Sequence, residues 1–278
     1  MIQFFFCYNQ VSYVIAHETA KKNPSKAFLI VAPGRVRSHA QSTVQVFRYN
    51  ALFSLAILIV SVAFRNIEII LPHAKCGRIT KWMSKYSRNL SYIDDGMDTF
   101  REKPKNIELE QLRLGSRYYT FIYDIPLAKW LCMLKVTPVC SIKCLVNDAK
   151  PTLDLTEYDC LVIESPGVSM NENYNAYGKV FYITHPSHIK NQSGSIAKEK
   201  DSGSNCSVEK TISKFDGILV VGESMVLVFA MFTYVDLSRI IVSLTIAQFN
   251  NLKSLQYLLD KCRCEFIPES VTTNAPAV

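Results

Sequence analysis

Tyr92-Ile93-Asp94-Asp95-Gly96 sets two adjacent carboxylates and a glycine directly after a run that reads as a strand. A second signal, Tyr182-Ile183-Thr184-His185-Pro186, also closes an apolar run. A third, Gly222-Glu223-Ser224, follows Ile218 to Val221 and opens a further apolar stretch. An acid at one strand tip and a histidine at another are the parts of acid/base-assisted group transfer. The carboxylate would take a proton from a hydroxyl nucleophile, and the imidazole would bind or protonate a phosphate leaving group. Successive side chains alternate faces on a strand, so one of Asp94 and Asp95 should serve the site while the other supports the turn. Gly96 would let the backbone turn sharply or approach a ligand. Each fragment also has a plain structural use: Asp-Asp-Gly and His-Pro are ordinary turns, and a serine before an apolar helix is an N-cap.

Proline at 186 restricts His185 to extended geometry and so fixes its imidazole at the strand end. His185-x-x-His188 could share a metal, but no carboxylate or cysteine completes the ligand set. The Ser224 hydroxyl and the first free N–H groups of the following helix would make a phosphate site. Glu223 works against that, because two negative groups in a low-dielectric cleft repel.

These positions need a scaffold, and the chain supplies strands alternating with helical stretches. Ile2 to Cys7 reads as a first buried strand, with Asn9-Gln10 opening a helix. Ala27 to Val31 is a second strand, a helix runs through Gln41 to Ala63, and Ile67 to Ile70 is a strand. Thr80 to Ser87 is helical and Leu90 to Ile93 delivers the acid pair. A second series follows Pro151: strands at Asp159 to Glu164, Val180 to Thr184 and Ile218 to Val221, with a mobile loop at Gln192 to Thr211. The alternation predicts an α/β fold with largely parallel sheets, in two Rossmann-like lobes at 1–150 and 151–278 facing a central cleft. Ligands of such sheets sit beyond the carboxyl ends of the strands, where Asp95, His185 and Ser224 all fall.

The 278 residues carry 49% apolar side chains, enough for a sizeable core, and a formal charge of +7 that suits an anionic ligand or an acidic surface. No block of consecutive Lys/Arg and no aromatic ladder of a nucleic-acid module is present, so nucleic acid is not an expected partner. The nine cysteines are an odd, scattered set, which points to reduced thiols in a cytoplasmic interior rather than a disulfide framework or a zinc site. Met1 to Tyr8 lacks the features of a signal peptide. The uncharged run Tyr49 to Phe64 holds sixteen residues between Arg48 and Arg65, short of the roughly 20 a bilayer span needs. A buried helix running into a strand is expected there, and peripheral membrane contact is compatible with it. Neither G-x-G-x-x-G nor a P-loop lysine motif occurs, which disfavours dinucleotide and ATP chemistry.

Taken together, the segments resemble the bacterial sialyltransferase and polysialyltransferase families. Those carry an acidic-acidic-Gly motif, then His-Pro, then a serine motif in the last strand–helix unit. Here the matching residues are Asp94-Asp95-Gly96 with Phe100-Arg101 beyond them, Tyr182 to Pro186, and Ser224. Phe6-Cys7-Tyr8-Asn9-Gln10 looks like the families' opening strand and acceptor-side loop, and Glu164-Ser165-Pro166-Gly167 like their glycine/proline turn. The resemblance spans Ile2 to Met231. It implies a GT-B architecture, CMP-activated sialic acid as donor, a glycan hydroxyl as acceptor, inversion at the anomeric carbon, and no metal or other cofactor. By the same resemblance Asp95 is the general base, with Asp94 the substitute, and His185 engages the CMP phosphate. Ser224, Pro186, Ser165 and Gly167 lie on the donor side, and Asn9 and Gln10 on the acceptor side. The families usually place a pair of small hydroxyl residues where this chain has Glu223-Ser224. That departure favours an alternative, a non-catalytic GT-B-fold protein that binds a glycan or nucleotide. An enzyme using another nucleotide sugar is a third expectation.

Overall fold

Every strand pairing among the described residues is parallel. A computed structural model of the chain describes residues 1–33, 36, 43–72, 77–94, 96–105, 109–145, 158–164, 178, 180–183, 212, 215 and 217–268. The chain divides into two units, Met1–Leu145 and Val146–Val278.

The first unit is built on β1 (Ile2–Cys7), β2 (Ala27–Val31), β3 (Gln45–Arg48), β4 (Ile67–Leu71), β5 (Asn89–Ile93), β6 (Arg117–Ile122) and β7 (Lys135–Ser141). They lie in the order β3-β2-β1-β4-β5-β6-β7, that of a doubly wound Rossmann-like sheet extended by one strand. The chain reverses its direction of travel across the sheet between β1 and β4. Helix α1 (Gln10–Ala20) follows β1, while α2 (Ala51–Ala63) and α3 (Gly77–Tyr86) precede β4 and β5. One core cluster joins Ile57 and Leu58 of α2 and Met83 of α3 to Phe6, Ile30, Ile69, Leu71, Tyr92 and Tyr118 of the sheet. Alternation sends Phe5, Leu29, Ile70, Ile93 and Tyr119 to the other face, where α1 lies.

The second unit contains β8 (Cys160–Glu164), β9 (Val180–Ile183), β10 (Ile218–Val221), β11 (Ile240–Leu244) and β12 (Arg263–Phe266). Their order is β12-β11-β10-β8-β9, the other common doubly wound arrangement, with its reversal between β8 and β10. Helices α4 (Met225–Thr233), α5 (Ile246–Asn251) and α6 (Gln256–Leu259) complete its described regular structure together with short 3-10 turns.

Two expectations need correcting. Gln45 to Arg48 is not the start of a long helix but strand β3, paired with β2. The helix begins only after Asn50, whose Oδ1 accepts from the Leu52 and Phe53 N–H groups at 2.9 and 3.4 Å. Nor is α2 buried. It turns Ser54, Ile57, Leu58 and Ser61 inward, while Leu52, Ile59, Val60 and Val62 face out. The mobile loop expected at Gln192 to Thr211 lies outside the described residues.

The two inward serines differ in their surroundings. The Ser61 Oγ donates to the Leu58 carbonyl at 2.8 Å and lies 3.2 Å from the Ser87 Oγ. The Ser54 Oγ is buried with no hydrogen-bond partner among the described residues. A buried unsatisfied hydroxyl costs about 1–3 kcal/mol. Ser54→Ala should therefore raise the stability of the first unit by about 1 kcal/mol, and Ser61→Ala should lower it by a similar amount. Urea unfolding followed by tryptophan fluorescence will separate the two, since both tryptophans, Trp82 and Trp130, lie in this unit.

Candidate functional site

Asp94 stands one residue beyond β5, and the ladder to β6 still holds it: its N–H donates to the Tyr119 carbonyl at 2.8 Å. Its side chain is wholly buried. One carboxylate oxygen accepts the Gly96 N–H at 2.8 Å, and the other accepts the Thr120 hydroxyl at 2.7 Å and the Tyr123 hydroxyl at 3.0 Å. Asp94 thus ties the turn after β5 to the end of β6. Gly96 takes φ +132° and ψ −129°, a region essentially reserved for glycine.

Beyond Gly96 the chain forms a 3-10 turn, Met97–Thr99. The Thr99 Oγ1 meets the Tyr118 hydroxyl at 2.9 Å. Asp98 accepts from Arg101 Nη1 at 2.6 Å and from the Lys105 N–H at 3.0 Å. The indole N–H of Trp130 then donates to the Arg101 carbonyl at 3.1 Å. Phe100 packs edge-on against Tyr123, with ring centroids 4.9 Å apart. The acidic-acidic-Gly segment therefore sits on a framework of buried ion pair, hydroxyls and aromatic rings.

Burial raises the Asp94 carboxyl above its ordinary value, and the bonds from Thr120, Thr99, Gly96 and Tyr123 oppose that shift. Burial, together with the charge of Asp94, pushes the Tyr123 phenol well above its usual range, so it remains a donor. Asp94 anchors the turn. Asp95 lies outside the described residues.

Asn9 and Gln10 follow β1, at the point where the first sheet reverses its winding. The Asn9 side chain caps α1, accepting the Ser12 N–H at 2.9 Å, and the Ser12 Oγ completes a capping box. Beside them the Tyr8 hydroxyl lies 3.2 Å from the Thr80 Oγ1 of α3.

In the second unit Ser224 follows β10, at that sheet's reversal. Gly222 adopts φ +78°, and its N–H donates to the Ser243 carbonyl at 2.7 Å. Ser224 caps α4 by accepting the Val226 N–H at 3.2 Å. Glu223 is only 6% exposed, so a carboxylate stands inside the structure next to the cap. The neighbouring β11 ends in a second cap, Thr245, which accepts the Gln248 N–H at 3.1 Å. β9 ends at Ile183, on the same carboxyl edge as β8 and β10. His185, Pro186, Ser165 and Gly167 lie outside the described residues.

Thr99, Thr120, Tyr123 and Thr245 were not singled out from the sequence. The signal for Thr120 and Tyr123 was the hydroxyl-rich run Tyr118-Tyr119-Thr120 with Tyr123, which supplies donors to a neighbouring carboxylate. Among the described residues no group of three or more His, Cys, Asp and Glu side chains could hold a metal ion. The seven described cysteines are free. Burial holds the Cys140 and Cys262 thiols up at about 12, so neither is an activated nucleophile.

No protein-family model matches this chain, and no curated protein matches it in sequence.

Replacing Asp94 tests its anchoring role. Asp94→Ala removes the carboxylate that accepts from Gly96, Thr120 and Tyr123 and should cost about 2–4 kcal/mol. Asp94→Asn can accept from Gly96 and donate to the two hydroxyls once they rotate, so it should fold. A carboxyl whose value is raised on folding contributes most below its ordinary 3.8, and loses that contribution as pH rises through the raised value. The stability of Asp94→Asn relative to wild type should accordingly grow from acid toward neutral pH. Urea titrations across that range will show the slope.

Proposed function

We propose that this protein is an inverting glycosyltransferase that moves sialic acid, or a related nonulosonic acid, from a CMP-activated donor to a glycan hydroxyl. The two units would be the acceptor-side and donor-side lobes of a GT-B enzyme. Asp95 takes the proton from the acceptor hydroxyl, whose oxygen attacks the anomeric carbon. The bond from that carbon to the phosphate oxygen breaks, and CMP leaves with the electron pair. His185 donates a hydrogen bond or proton to the departing phosphate, which Ser224 helps to hold. Asn9 and Gln10 face the acceptor.

One observation carries this reading: in each unit the motif residues follow strands at, or next to, the reversal of winding. Asn9-Gln10 follow β1 and the acid pair follows β5, beside β4. Ser224 follows β10, and His185 lies two residues after β9, beside β8. Doubly wound sheets bind ligands in the crevice at that point. The free cysteines fit a reducing compartment. The expected place of action is the cytoplasm, and peripheral association with the cytoplasmic face of a membrane is compatible with it.

Glu223 favours a second reading, in which the fold binds a glycan or nucleotide without turnover. Its buried carboxylate beside the Ser224 cap opposes a phosphate there.

CMP release from CMP-sialic acid, measured on the purified chain with a mixed glycan panel, separates the two. Turnover should fall by about 100-fold or more in Asp95→Ala and in His185→Ala, with folding intact. Glu223→Gln should tighten CMP binding in calorimetry by roughly tenfold, because it removes a like charge. CMP binding with no turnover in the wild type would establish the binding-only protein instead. Absence of both would refute either version.

A further inference from the structure

Helix α2 is amphipathic in the wrong sense for a helix facing water. Its polar side chains, Ser54 and Ser61, are buried, and its exposed surface is hydrocarbon. Leu52, Phe53, Ile59, Val60, Val62 and, just beyond the helix, Phe64 are exposed, Leu52 at 79% and Ile59 at 62%. The adjoining α3 adds Trp82 and Tyr86, both about half exposed. The same helices and the turns that follow them carry the exposed cations Arg65, Arg78, Lys81, Lys85 and Arg88. From Gln45 to Tyr92 the sequence holds one carboxylate, Glu68, and it is buried in the sheet, where it accepts from Gln3 and Ser91.

We propose that the outer face of α2 and α3 docks onto an anionic lipid bilayer. Three features select that occupant. Exposed apolar side chains on α2, next to an α3 that exposes Trp, Tyr, Lys and Arg, match the layered chemistry of the membrane interface, with hydrocarbon inside and aromatic and cationic groups at headgroup level. The segment that forms this face, Gln45 to Tyr92, is cationic and has no carboxylate but the buried Glu68, which complements a negative headgroup surface. A second copy packed on it about a two-fold axis would set cations against cations. The thirteen residues of α2 extend about 20 Å, too short to span, so the helix would lie in the interface plane. Among the described residues no helix is long and apolar enough to cross a membrane. This inference stands on the surface alone and is independent of the glycosyltransferase reading.

Co-sedimentation of the full chain with lipid vesicles tests it. The wild type should bind mixed phosphatidylcholine–phosphatidylglycerol vesicles, bind pure phosphatidylcholine far less, and be released by salt. Lys81→Glu/Lys85→Glu should lower partitioning roughly tenfold or more, and Ile59→Glu should do the same by placing a charge in the hydrocarbon contact. Both variants change exposed side chains, so their urea unfolding should match the wild type and separate lost docking from lost folding. Failure to bind the anionic vesicles overturns the proposal, as does binding that both variants retain. Sedimentation velocity supplies the remaining outcome. A dimer that Ile59→Glu converts to monomer, without vesicle binding in the wild type, would identify a second copy as the occupant and overturn the lipid assignment.

Discussion

A parallel strand cannot be reached from its neighbour by a tight turn, so the chain must cross over a sheet face before each new pairing. All described ladders here are parallel, and two consequences follow. Within each sheet the carboxyl ends of all strands gather along one edge, which places Asn9, Asp94 and Ser224 at their respective edges without any dedicated folding instruction. The crossovers must also roof both faces, and they do so unequally. On one face of the first sheet the α2–α3 layer seals its core from beneath while leaving its own outer surface apolar.

The turn after β5 shows how that edge is stiffened. A buried carboxylate must be hydrogen-bonded or it destabilises the fold, and Asp94 meets this with donors from three places in the chain: Gly96, Thr120 and Tyr123. The bonds make the tip of β5 and the end of β6 one rigid piece, with the Asp98–Arg101 pair and Trp130 bracing it from the far side. A catalytic group carried on such a turn would inherit its orientation from the framework rather than from its own rotamer.

Much of this was legible in the sequence, for identifiable reasons. β2 and β10 are short runs built almost wholly of Ile, Val, Leu and Phe, and β1 and β4 are the same apart from Gln3 and Glu68, because strands buried on both faces have little polar alternation. Five strands escaped notice; three are edges, while β6 and the apolar β11 (Ile-Ile-Val-Ser-Leu) are interior. β3, β7 and β12 each end a sheet, bury little, and carry residues such as Arg48, Pro138 and Arg263 that an edge tolerates. β6 is interior but reads Arg-Tyr-Tyr-Thr-Phe-Ile, its hydroxyls chosen for Thr99, Arg117 and Asp94 rather than for hydrocarbon packing. The outward face of α2 was illegible for a different reason: an apolar run looks the same whether protein or something else covers it.

The α2–α3 layer packs on one face of the first sheet, and a ligand at the β1–β4 reversal would sit beyond the strands' carboxyl ends, along the sheet's edge. A protein resting on that layer would hold its sheet parallel to the supporting plane. The mouth of the crevice would then look sideways, about one helix diameter, roughly 10 Å, above the surface. Molecules tethered to the same plane would meet the strand tips as they diffuse laterally, so the search for the site would be two-dimensional.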